Sequence, residues 1–403
     1  MTFPSTILRA AVRSAAALFC LLALAPATSA QPLETNPDLP PPLHRFEPSI
    51  LIQHHPQWIV HDRVSDSWLA GIDLSTFLRD AEFSTPHSPG YTAVGFFADP
   101  FISRRIGTNA RATVGLRLAG AAGLDGLYSW QPLVRLEYSP LPTLHLVMGT
   151  LYGDLSHGLY EPMLGRERHF YAHNEEGVQI LATIPALRWE TDTWLHWENL
   201  LQPWQADQER FTLATSNEIT PLILPLSPFT LHMSIPFSFL GSHRGGQFSA
   251  LDTCIQSLFT ESVGLRLNFQ FSKTGICLHA PFFFYQDISP TSWQAYTDGH
   301  GFWPQLSLTF QHSSLNVIGS AGYWTGHHYI APRGSYLFQC VSWDDPDFRT
   351  PDKQMLTARL ALEHQYTTDF HLGADAEAYY DLHYRRPDIA FGIYLRYTPS
   401  WRL

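Results

Sequence analysis

Hydrophobic and polar residues alternate with a period of two along several long segments of the chain. Every odd position from 229 to 239 is apolar, and so is every even position from 370 to 384. Between 263 and 271 the odd positions are apolar and the even ones are Gly264, Arg266, Asn268 and Gln270. Successive residues of a β-strand point to opposite faces. Each segment is therefore predicted to be a strand with one apolar and one polar face.

The lengths of these segments favour membrane-spanning strands over those of a soluble sandwich. A sandwich strand usually has about 5 or 6 residues, whereas a tilted strand needs about 9 to 11 residues to cross a membrane. Over the whole chain we predict sixteen strands, at residues 67–78, 91–99, 111–119, 132–138, 144–152, 177–190, 193–200, 211–218, 229–239, 263–271, 276–285, 305–311, 315–324, 355–366, 370–384 and 389–397.

Short and long connections alternate between the predicted strands. The short ones are 139–143, 191–192, 272–275, 312–314 and 367–369, with 100–110 and 219–228 of intermediate length. The long ones are 153–176, 240–262, 286–304 and 325–354. Short periplasmic turns and long outer loops are typical of outer-membrane barrels. The predicted fold is all-β, a closed antiparallel transmembrane β-barrel of about 16 strands, within a range of 14–18.

The N-terminal region is predicted to direct export rather than to join the barrel. Residues 1–30 have the order of a secretory signal peptide, with Arg9 and Arg13 before an apolar run and cleavage placed after Ala30. Residues 31–57 are rich in proline and are predicted to form an extended periplasmic segment. The barrel is predicted over 58–403, in the outer membrane.

The C-terminal end resembles that of outer-membrane β-barrels. Residues 392–397, Gly-Ile-Tyr-Leu-Arg-Tyr, are similar to the Gly-x-x-Φ-x-Φ insertion signal of those proteins. Their last strand commonly ends in Phe or Trp, whereas this chain ends in Leu403. The long third outer loop, 153–176, resembles that of the general porins, whose third loop folds inward and narrows the pore. The stretches 153–157 and 242–247 are also similar to an uncharacterised porin-like family of Bacteroidetes-type bacteria, which implies location and fold only.

Composition narrows the class of protein. The chain has 36 Asp+Glu and 25 Lys+Arg and a formal net charge of −11, which argues against a nucleic-acid binder. An aromatic content of 14% argues against a disordered chain. No stretch after the leader has the ~18 consecutive apolar residues of a membrane helix.

Cys254 and Cys340 fall in predicted outer loops and could pair in an oxidising compartment, and unpaired thiols are the alternative.

Many aromatic residues lie near predicted strand ends. Outer-membrane barrels carry aromatic girdles at both membrane interfaces. We expect these girdles to include Trp58, Trp68, Trp130, Trp194, Tyr285, Trp303, Trp324, Tyr366 and Tyr384.

The predicted loop 153–176 holds the densest group of polar side chains. If it folds into the lumen, its charges would set a transverse field and a size limit for solutes. If it stays outside, the charges are merely solvated. The candidates for a pore constriction are Asp154, His157, Glu161, Arg166, Glu167, Arg168 and His169.

Charged residues on the polar faces of predicted strands are expected to line the lumen. A basic residue that faces lipid at the bilayer midplane costs about 2–4 kcal/mol, so such groups should face water. The alternative is that they form internal salt bridges that fill the barrel. The lumen-lining candidates are Arg266, His371, Asp375, Glu377 and Asp381.

The sequence offers little signal for catalysis. The pairs 54–55 and 327–328 are adjacent histidines, but neither an HExxH motif nor a Cys/His ligand spacing is present. His312 and Ser314 have the His-x-Ser spacing of a phospholipase-type pair, but they fall in a predicted periplasmic turn. We therefore predict no enzymatic activity, no metal and no cofactor.

The predicted function is a porin-like channel for passive or substrate-selective diffusion of small solutes. A sixteen-stranded barrel encloses a lumen wide enough for water, and the acidic balance favours cations. The alternative is a non-conducting barrel that binds surface polysaccharide or a partner protein through its long loops. The expected partners are outer-membrane lipid and lipopolysaccharide, small solutes and a second copy of the chain in a homo-oligomer, but not nucleic acid.

Overall fold

The structure, a computed structural model, describes residues 68–153, 157–170, 174–200, 208–245, 255–367 and 369–403, without the side chain of His169. The predicted leader, 1–30, and the proline-rich segment, 31–57, lie outside these ranges, so both stay predictions. None of the short helices in the described ranges is long and apolar enough to cross a membrane.

The described chain is built almost entirely from antiparallel strands. Its strand segments are β1 (Trp68–Glu82), β2 (Tyr91–Ile106), β3 (Ala110–Ala121), β4 (Leu127–Leu141), β5 (Leu144–Thr150), β6 (Glu176–Ile184), β7 (Trp189–Asn199), β8 (Arg210–Leu226), β9 (Phe229–Arg244), β10 (Gln256–Gln270), β11 (Thr274–Asp287), β12 (Asp298–Phe302), β13 (Gln305–His312), β14 (Leu315–His327), β15 (Asp352–Thr367), β16 (Phe370–Asp381), β17 (Arg386–Tyr397) and β18 (Ser400–Arg402). Because β17 and β18 both pair with β1, the sheet closes into a barrel.

Two of the barrel strands are interrupted, so the 18 strand segments form fewer barrel strands. Segments β12 and β13 both lie between β11 and β14, and β17 and β18 both lie along β1. Pro304 and Pro399 lie at these two breaks, where proline cannot donate a ladder hydrogen bond. The barrel therefore has 16 strands, and the predicted fold class and strand number are confirmed.

The predicted strand 177–190 is wrong at its C-terminal end. The chain turns at a short 3₁₀ helix, Pro185–Leu187, and reverses at Arg188, which has a left-handed φ of 46°. The predicted turn at 191–192 is instead inside β7. Apolar residues continue on both sides of the turn, so the pattern alone did not mark it. Proline supplies the physical cause, because it lacks an N–H for the ladder.

The predicted links 100–110 and 219–228 are mostly strand. Segment β2 continues to Ile106, and β8 continues to Leu226. The register of β8 against β9 shifts between Ile219 and Leu222, beside Pro221. Proline is tolerated at such irregularities, so it does not end the strand there.

Alternation along the strands sorts side chains between lipid and lumen. On β10, Val263 and Leu265 are 44% and 42% exposed on the outer face, whereas Arg266, which follows Leu265, is 6% exposed on the inner face. On β13, Leu306 and Leu308 are similarly exposed. The apolar outer belt places the barrel in the outer membrane, as predicted.

Two outer loops fold into the barrel and pack against each other. The first, residues 157–170, lies between β5 and β6, and the second, residues 328–343, lies between β14 and β15; we call these two segments the plug. The Gly165 N–H donates to the Arg333 carbonyl at 2.7 Å, and the Tyr329 hydroxyl donates to the Pro162 carbonyl at 3.1 Å. Apolar side chains of both segments form one buried cluster with inward side chains of β7 to β16.

The plug corrects part of the expected aromatic girdle. Inner-face aromatics near the outer end of their strands are buried against the plug rather than in contact with lipid: these are Trp194, Tyr285, Trp303 and Trp324. Others are exposed on the outside of the barrel, as a girdle requires: these are Trp68, Trp130 and Tyr366. Position along a strand is thus insufficient, because the phase of the alternation decides which face a ring occupies. Trp58 lies outside the described residues.

Candidate functional site

The segment 157–170 of the plug contacts opposite walls of the lumen through polar side chains. Glu161 accepts hydrogen bonds from the Tyr379 hydroxyl at 2.9 and 3.1 Å. Arg166 lies 2.9 Å from a carboxylate oxygen of Glu377 on the same side of the barrel. Across the lumen, the Tyr160 hydroxyl lies 2.8 Å from Nε2 of His279. The loop therefore spans the lumen instead of remaining outside.

His157 occupies a fully enclosed site of its own. Its ring stacks on Trp194 at a centroid distance of 3.7 Å, its Nδ1 lies 3.0 Å from Asp192, and its Nε2 contacts Glu175. Burial disfavours the charged ring, but the two carboxylates outweigh burial and raise the pKa of His157 to about 10. The ring is thus a buried cation that joins the loop to the wall.

The other constriction candidates differ in how they are placed. Glu167 lies in the same loop, and burial raises the pKa of its carboxyl. Arg168 is half-buried. Asp154 and the side chain of His169 lie outside the described residues. The role of the whole set as a constriction stays a prediction.

The lumen-lining candidates face inward but are largely neutralised by partners. Arg79 on β1 lies 2.7 Å from Glu377 and 3.4 Å from Asp375, and Arg359 on β15 lies 2.8 and 3.3 Å from the same two groups. The other pairs are Lys353–Asp381 at 2.6 Å, His371–Glu363 at 3.1 Å and Arg266–Glu218. The sequence analysis did not single out Arg79, Arg359, Lys353 or Glu218, although each lies on the inward phase of its strand.

The space left between the plug and this charged wall is small. A cavity of about 30 Å³ is lined by Glu161, Arg166, Arg266, Cys277, His279, Trp303, Gln305, Ser307, Ser320, Thr357, Ala358, Arg359 and Tyr379. One water needs roughly 10–15 Å³ by the same measure, so the cavity has room for a few waters at most. Cys340 is buried in the plug, and burial raises the pKa of its thiol to about 12. Cys340 is a free thiol, which favours the unpaired alternative, and Cys254 lies outside the described residues.

Three serine–histidine contacts occur among the described residues, and their locations differ. Ser139 Oγ lies 2.7 Å from Nδ1 of His145, whose Nε2 lies 3.2 Å from Glu137. This set has the order of a catalytic triad, but Ser139 is 6% and His145 0% exposed, inside the periplasmic end of the barrel. A buried set of this kind joins strands and offers no access to a lipid.

The second contact replaces the pair suggested by the sequence. Ser314 Oγ lies 3.4 Å from Nδ1 of His364, at the periplasmic end. His312, which the His-x-Ser spacing suggested as its partner, stacks instead near Phe310. The contact is long, and it lies at the periplasmic end of the barrel. Both features make this pair a weaker catalytic candidate than the outward-facing pair described next.

The third contact lies on the outer face at the extracellular rim. Ser257 of β10 and His243 of β9 are directly paired residues, and Ser257 Oγ lies 2.9 Å from Nδ1 of His243. Nε2 of His243 lies 2.9 Å from the carbonyl oxygen of Gly245. A carbonyl only accepts, so Nε2 carries the proton and Nδ1 accepts the serine proton. We call this pair the rim dyad.

Aromatic side chains surround the rim dyad on the lipid-facing side. The ring of Phe211 on β8 lies 4.9 Å from that of His243, and Trp197 on β7 stacks on Phe211 at 5.4 Å. Phe259, two residues below Ser257, packs on Phe239 at 5.4 Å. The dyad has the outward phase of Val263 and Ile235, both exposed to lipid. It therefore lies where the aromatic girdle meets the membrane surface.

Fold and surface together define an outer-membrane β-barrel protein. The chain belongs to the family described as Lipid A 3'-O-deacylase-type, whose sequence model matches residues 60–403. The predicted resemblance to outer-membrane barrels is thus confirmed. No curated protein sequence matches the chain.

Solved structures with similarity to this chain are outer-membrane proteins of low sequence identity. They include a loop L8 deletion mutant of OmpT from Vibrio cholerae, with 10% identity, coverage of 83% of this chain and 99% of that chain, and a TM-score of 0.48. OpdK from Pseudomonas aeruginosa has 9% identity, coverage of 83% and 99%, and a TM-score of 0.46. OprB from Pseudomonas putida has 6% identity, coverage of 83% and 94%, and a TM-score of 0.48.

The family corrects one prediction outright. We predicted no enzymatic activity, whereas the family is described as a deacylase, which is an enzyme. A short fixed spacing in the chain does not reveal a histidine and a serine that strand pairing brings together. His243 and Ser257 are 14 residues apart and meet only through strand pairing.

Proposed function

We propose that this protein is an outer-membrane ester hydrolase that removes an O-linked acyl chain from lipid A, with the rim dyad as its catalytic pair. The observation that carries the proposal is the hydrogen-bonded contact of Ser257 with a histidine of fixed tautomer. Membership in the Lipid A 3'-O-deacylase-type family supports the reaction class and the substrate. The extracellular rim supports it too, because lipid A lies in the outer leaflet.

The arrangement suits acyl transfer through a serine ester. His243 Nδ1 takes the proton of Ser257 as Oγ forms a bond to the acyl carbonyl carbon. The bond from that carbon to the sugar oxygen then breaks, and the imidazolium returns the proton to the sugar oxygen. Water, activated by the same Nδ1, cleaves the acyl-serine. The products are a fatty acid and a lipid with a free hydroxyl group.

The Gly245 carbonyl and the neighbouring rings have supporting roles. The carbonyl holds the Nε2–H, so the ring presents its lone pair to Ser257. Phe211 packs against the ring of His243 and limits its rotation. Phe259 and Phe239 lie below the dyad and offer an apolar surface for the acyl chain.

The proposal is tested by fatty-acid release from purified lipid A in detergent, followed by mass spectrometry. His243→Gln should reduce the rate by about 10²–10⁴-fold, the range for a general base, and Ser257→Ala by at least as much. Ser314→Ala and Ser139→Ala are matched controls that should retain activity. Each variant is first checked for folding by gel electrophoresis. A folded barrel migrates differently before and after heating.

Two outcomes would overturn the proposal. One is a folded wild-type protein that releases no fatty acid from lipid A. The other is a folded Ser257→Ala variant with the activity of the wild type. If Ser139→Ala abolishes release while Ser257→Ala does not, the buried set is the catalytic one and the rim dyad is excluded.

Diffusion of small solutes is the second candidate function. The observation that favours it is the polar inner face of the barrel. Below the plug, charged and hydroxyl groups cover this face instead of apolar groups. The plug crosses the lumen and would be the barrier on this path. Planar-bilayer conductance tests this function, with a deletion of 157–170 expected to raise conductance. Equal conductance before and after the deletion would exclude the plug as the barrier.

A further inference from the structure

Two histidines face each other across neighbouring strands at the extracellular rim. His300 of β12 and His327 of β14 are directly paired, and their ring centroids lie 5.5 Å apart. Both residues are exposed and have the outward phase, because the adjacent Gly301 and Gly326 lie against the buried ring of Trp324. The two imidazole rings are therefore on the outer face of the barrel, at the extracellular ends of their strands.

A carboxylate holds one of the two rings. Asp352 of β15 is directly paired with His327, and its Oδ1 lies 2.8 Å from Nδ1 of that ring. A carboxylate accepts, so Nδ1 of the neutral ring carries the proton and Nε2 keeps its lone pair. Because β12 and β15 flank β14 on opposite sides, Nε2 is on the side of His300. A histidine that donates to a carboxylate through one nitrogen and offers the other is a common form of metal ligand.

The spacing of the rings matches that of two histidines bound to one metal ion. With a Zn–N distance of about 2.1 Å, the centre of each ring lies about 3.2 Å from the ion. At a tetrahedral angle of about 109°, the two centres are about 5.2 Å apart. The distance between His300 and His327 is 5.5 Å, with 42° between the ring planes. The side chain of His300 has no hydrogen-bond partner among the described residues, so its nitrogens are available for an ion.

The adjacent histidines that the sequence analysis singled out form a stack instead. The ring of His328 lies on that of His327 at 3.9 Å with 24° between the planes, and on Tyr296 at 4.1 Å. A bound ion lies close to the plane of each ligand ring, because the nitrogen lone pair is in that plane. Two nearly parallel stacked rings do not share such a position. The cross-strand pair is therefore the candidate, although the chain separates its members by 27 residues.

We propose that His300 and His327 bind a divalent transition-metal ion such as Zn²⁺ through one nitrogen each, with Asp352 as a positioning residue behind His327. Imidazole nitrogens suit Zn²⁺, Cu²⁺ and Ni²⁺, whereas Ca²⁺ and Mg²⁺ prefer oxygen ligands. Within the described ranges, no group of three or more metal-ligating side chains occurs. The ion would thus have two protein ligands, and water would occupy its other positions. This site is separate from the rim dyad on β9 and β10, and it does not rest on the proposed function.

A bound ion would fasten a short strand to its neighbour. Segment β12 has 5 residues and pairs with β14 through only three of them, just before the break at Pro304. A ligand that binds only the folded protein stabilises it by mass action. Zn²⁺ should therefore raise the temperature at which the barrel converts to its unfolded gel mobility, and this rise should require both histidines.

The test is calorimetric titration of the purified full-length protein with Zn²⁺ in detergent, after a chelator has removed bound metals. His300→Phe and His327→Phe keep a ring in place without a ligand nitrogen, and each should weaken this binding at least tenfold. Asp352→Ala should weaken it by about 10–100-fold, the range for a group that orients a ligand, and Asp352→Asn should lose less because its amide oxygen still accepts the Nδ1 proton. His328→Phe and the periplasmic His312→Phe are matched controls that should bind Zn²⁺ as the wild type does. Comparison of variants with wild type cancels binding by other histidines, and the gel assay confirms that each variant is folded.

The outcomes decide the proposal. Weaker binding in both His300→Phe and His327→Phe, with normal binding in His328→Phe, supports the cross-strand site. Wild-type affinity in the two folded variants at 300 and 327 would overturn it, and so would a wild-type protein that binds no Zn²⁺. Loss of binding in His328→Phe but not in His300→Phe would assign the ion to the adjacent pair and overturn the cross-strand assignment. Displacement of Zn²⁺ by an equal concentration of Ca²⁺ would indicate oxygen ligands and would also overturn it.

Discussion

The buried His157 makes a sharp prediction about stability and pH. Replacing it with glutamine keeps a polar side chain of similar size but removes the positive charge between Asp192 and Glu175. The two carboxylates raise the pKa of His157 to about 10 against the opposing effect of burial. Its ordinary pKa is about 6.5. At about 1.4 kcal/mol for each tenfold change in proton affinity, the ring contributes about 5 kcal/mol to the free energy of unfolding.

The pKa of Glu175 reflects the same ion pair with His157. Burial raises the pKa of Glu175, but His157 outweighs burial and lowers that pKa to about 2. This shift corresponds to about 3 kcal/mol. A loss of about 3–5 kcal/mol is therefore expected for His157→Gln near pH 6.

The sign of the pH dependence follows from the direction of the shift. Because the folded pKa of His157 is raised, its contribution is fully present below about pH 6.5 and is lost as the pH rises through about 10. The contribution of Glu175 is present above about pH 4.5 and is lost as the pH falls towards about 2. Wild-type protein should thus lose stability between pH 6.5 and 10, and His157→Gln should not show this decline.

Urea unfolding in detergent micelles, followed by tryptophan fluorescence, measures both effects. Trp194 lies against the His157 ring, so its emission should also change in the variant. His312→Gln is the control, since His312 is exposed at the periplasmic end of β13. A His157→Gln protein with wild-type stability at pH 6 and a wild-type alkaline decline would refute the reasoning.

Three further predictions concern the wall and the plug. Arg79→Met leaves the carboxylates at 375 and 377 with fewer cations and should cost about 3–5 kcal/mol in urea unfolding, whereas equal stability would contradict a buried ion-pair role. Gly301→Ala would place a Cβ against the ring of Trp324, which must then shift, and should cost about 1–3 kcal/mol, measured by the temperature of gel-mobility conversion. Leu308→Arg puts a charge on the lipid face and should reduce folding into vesicles by about 2–4 kcal/mol, while Ser257→Arg at the rim should cost less.

The alternating pattern predicted the wall of this protein well. A lipid-facing residue and a lumen-facing residue follow each other along a strand, so segments such as 263–271 and 370–384 reveal both faces without any structure. The inward position of Arg266 and Asp375 follows from the same phase. Strand ends were less accurate, because Pro185 marks a turn whereas Pro221 lies inside a strand.

The partners of the inward charges depended on the closed barrel. Arg79 and Glu377 are 298 residues apart in the chain and meet because β1 and β16 both pair with β17. Closure of the sheet decides this contact, and no local spacing predicts it. The same holds for Tyr160 and His279, which meet only when the loop enters the lumen.

By itself, the sequence determined the barrel, its phase and its membrane, because a period of two is a local property of an extended chain. Only the tertiary structure decided that two outer loops fill the lumen and that four inward aromatics pack against them. It also decided that Ser257 meets His243, because register between neighbouring strands sets which side chains stand opposite each other. The wall was thus predictable from local alternation, whereas the candidate site depends on strand register and loop packing, which are long-range.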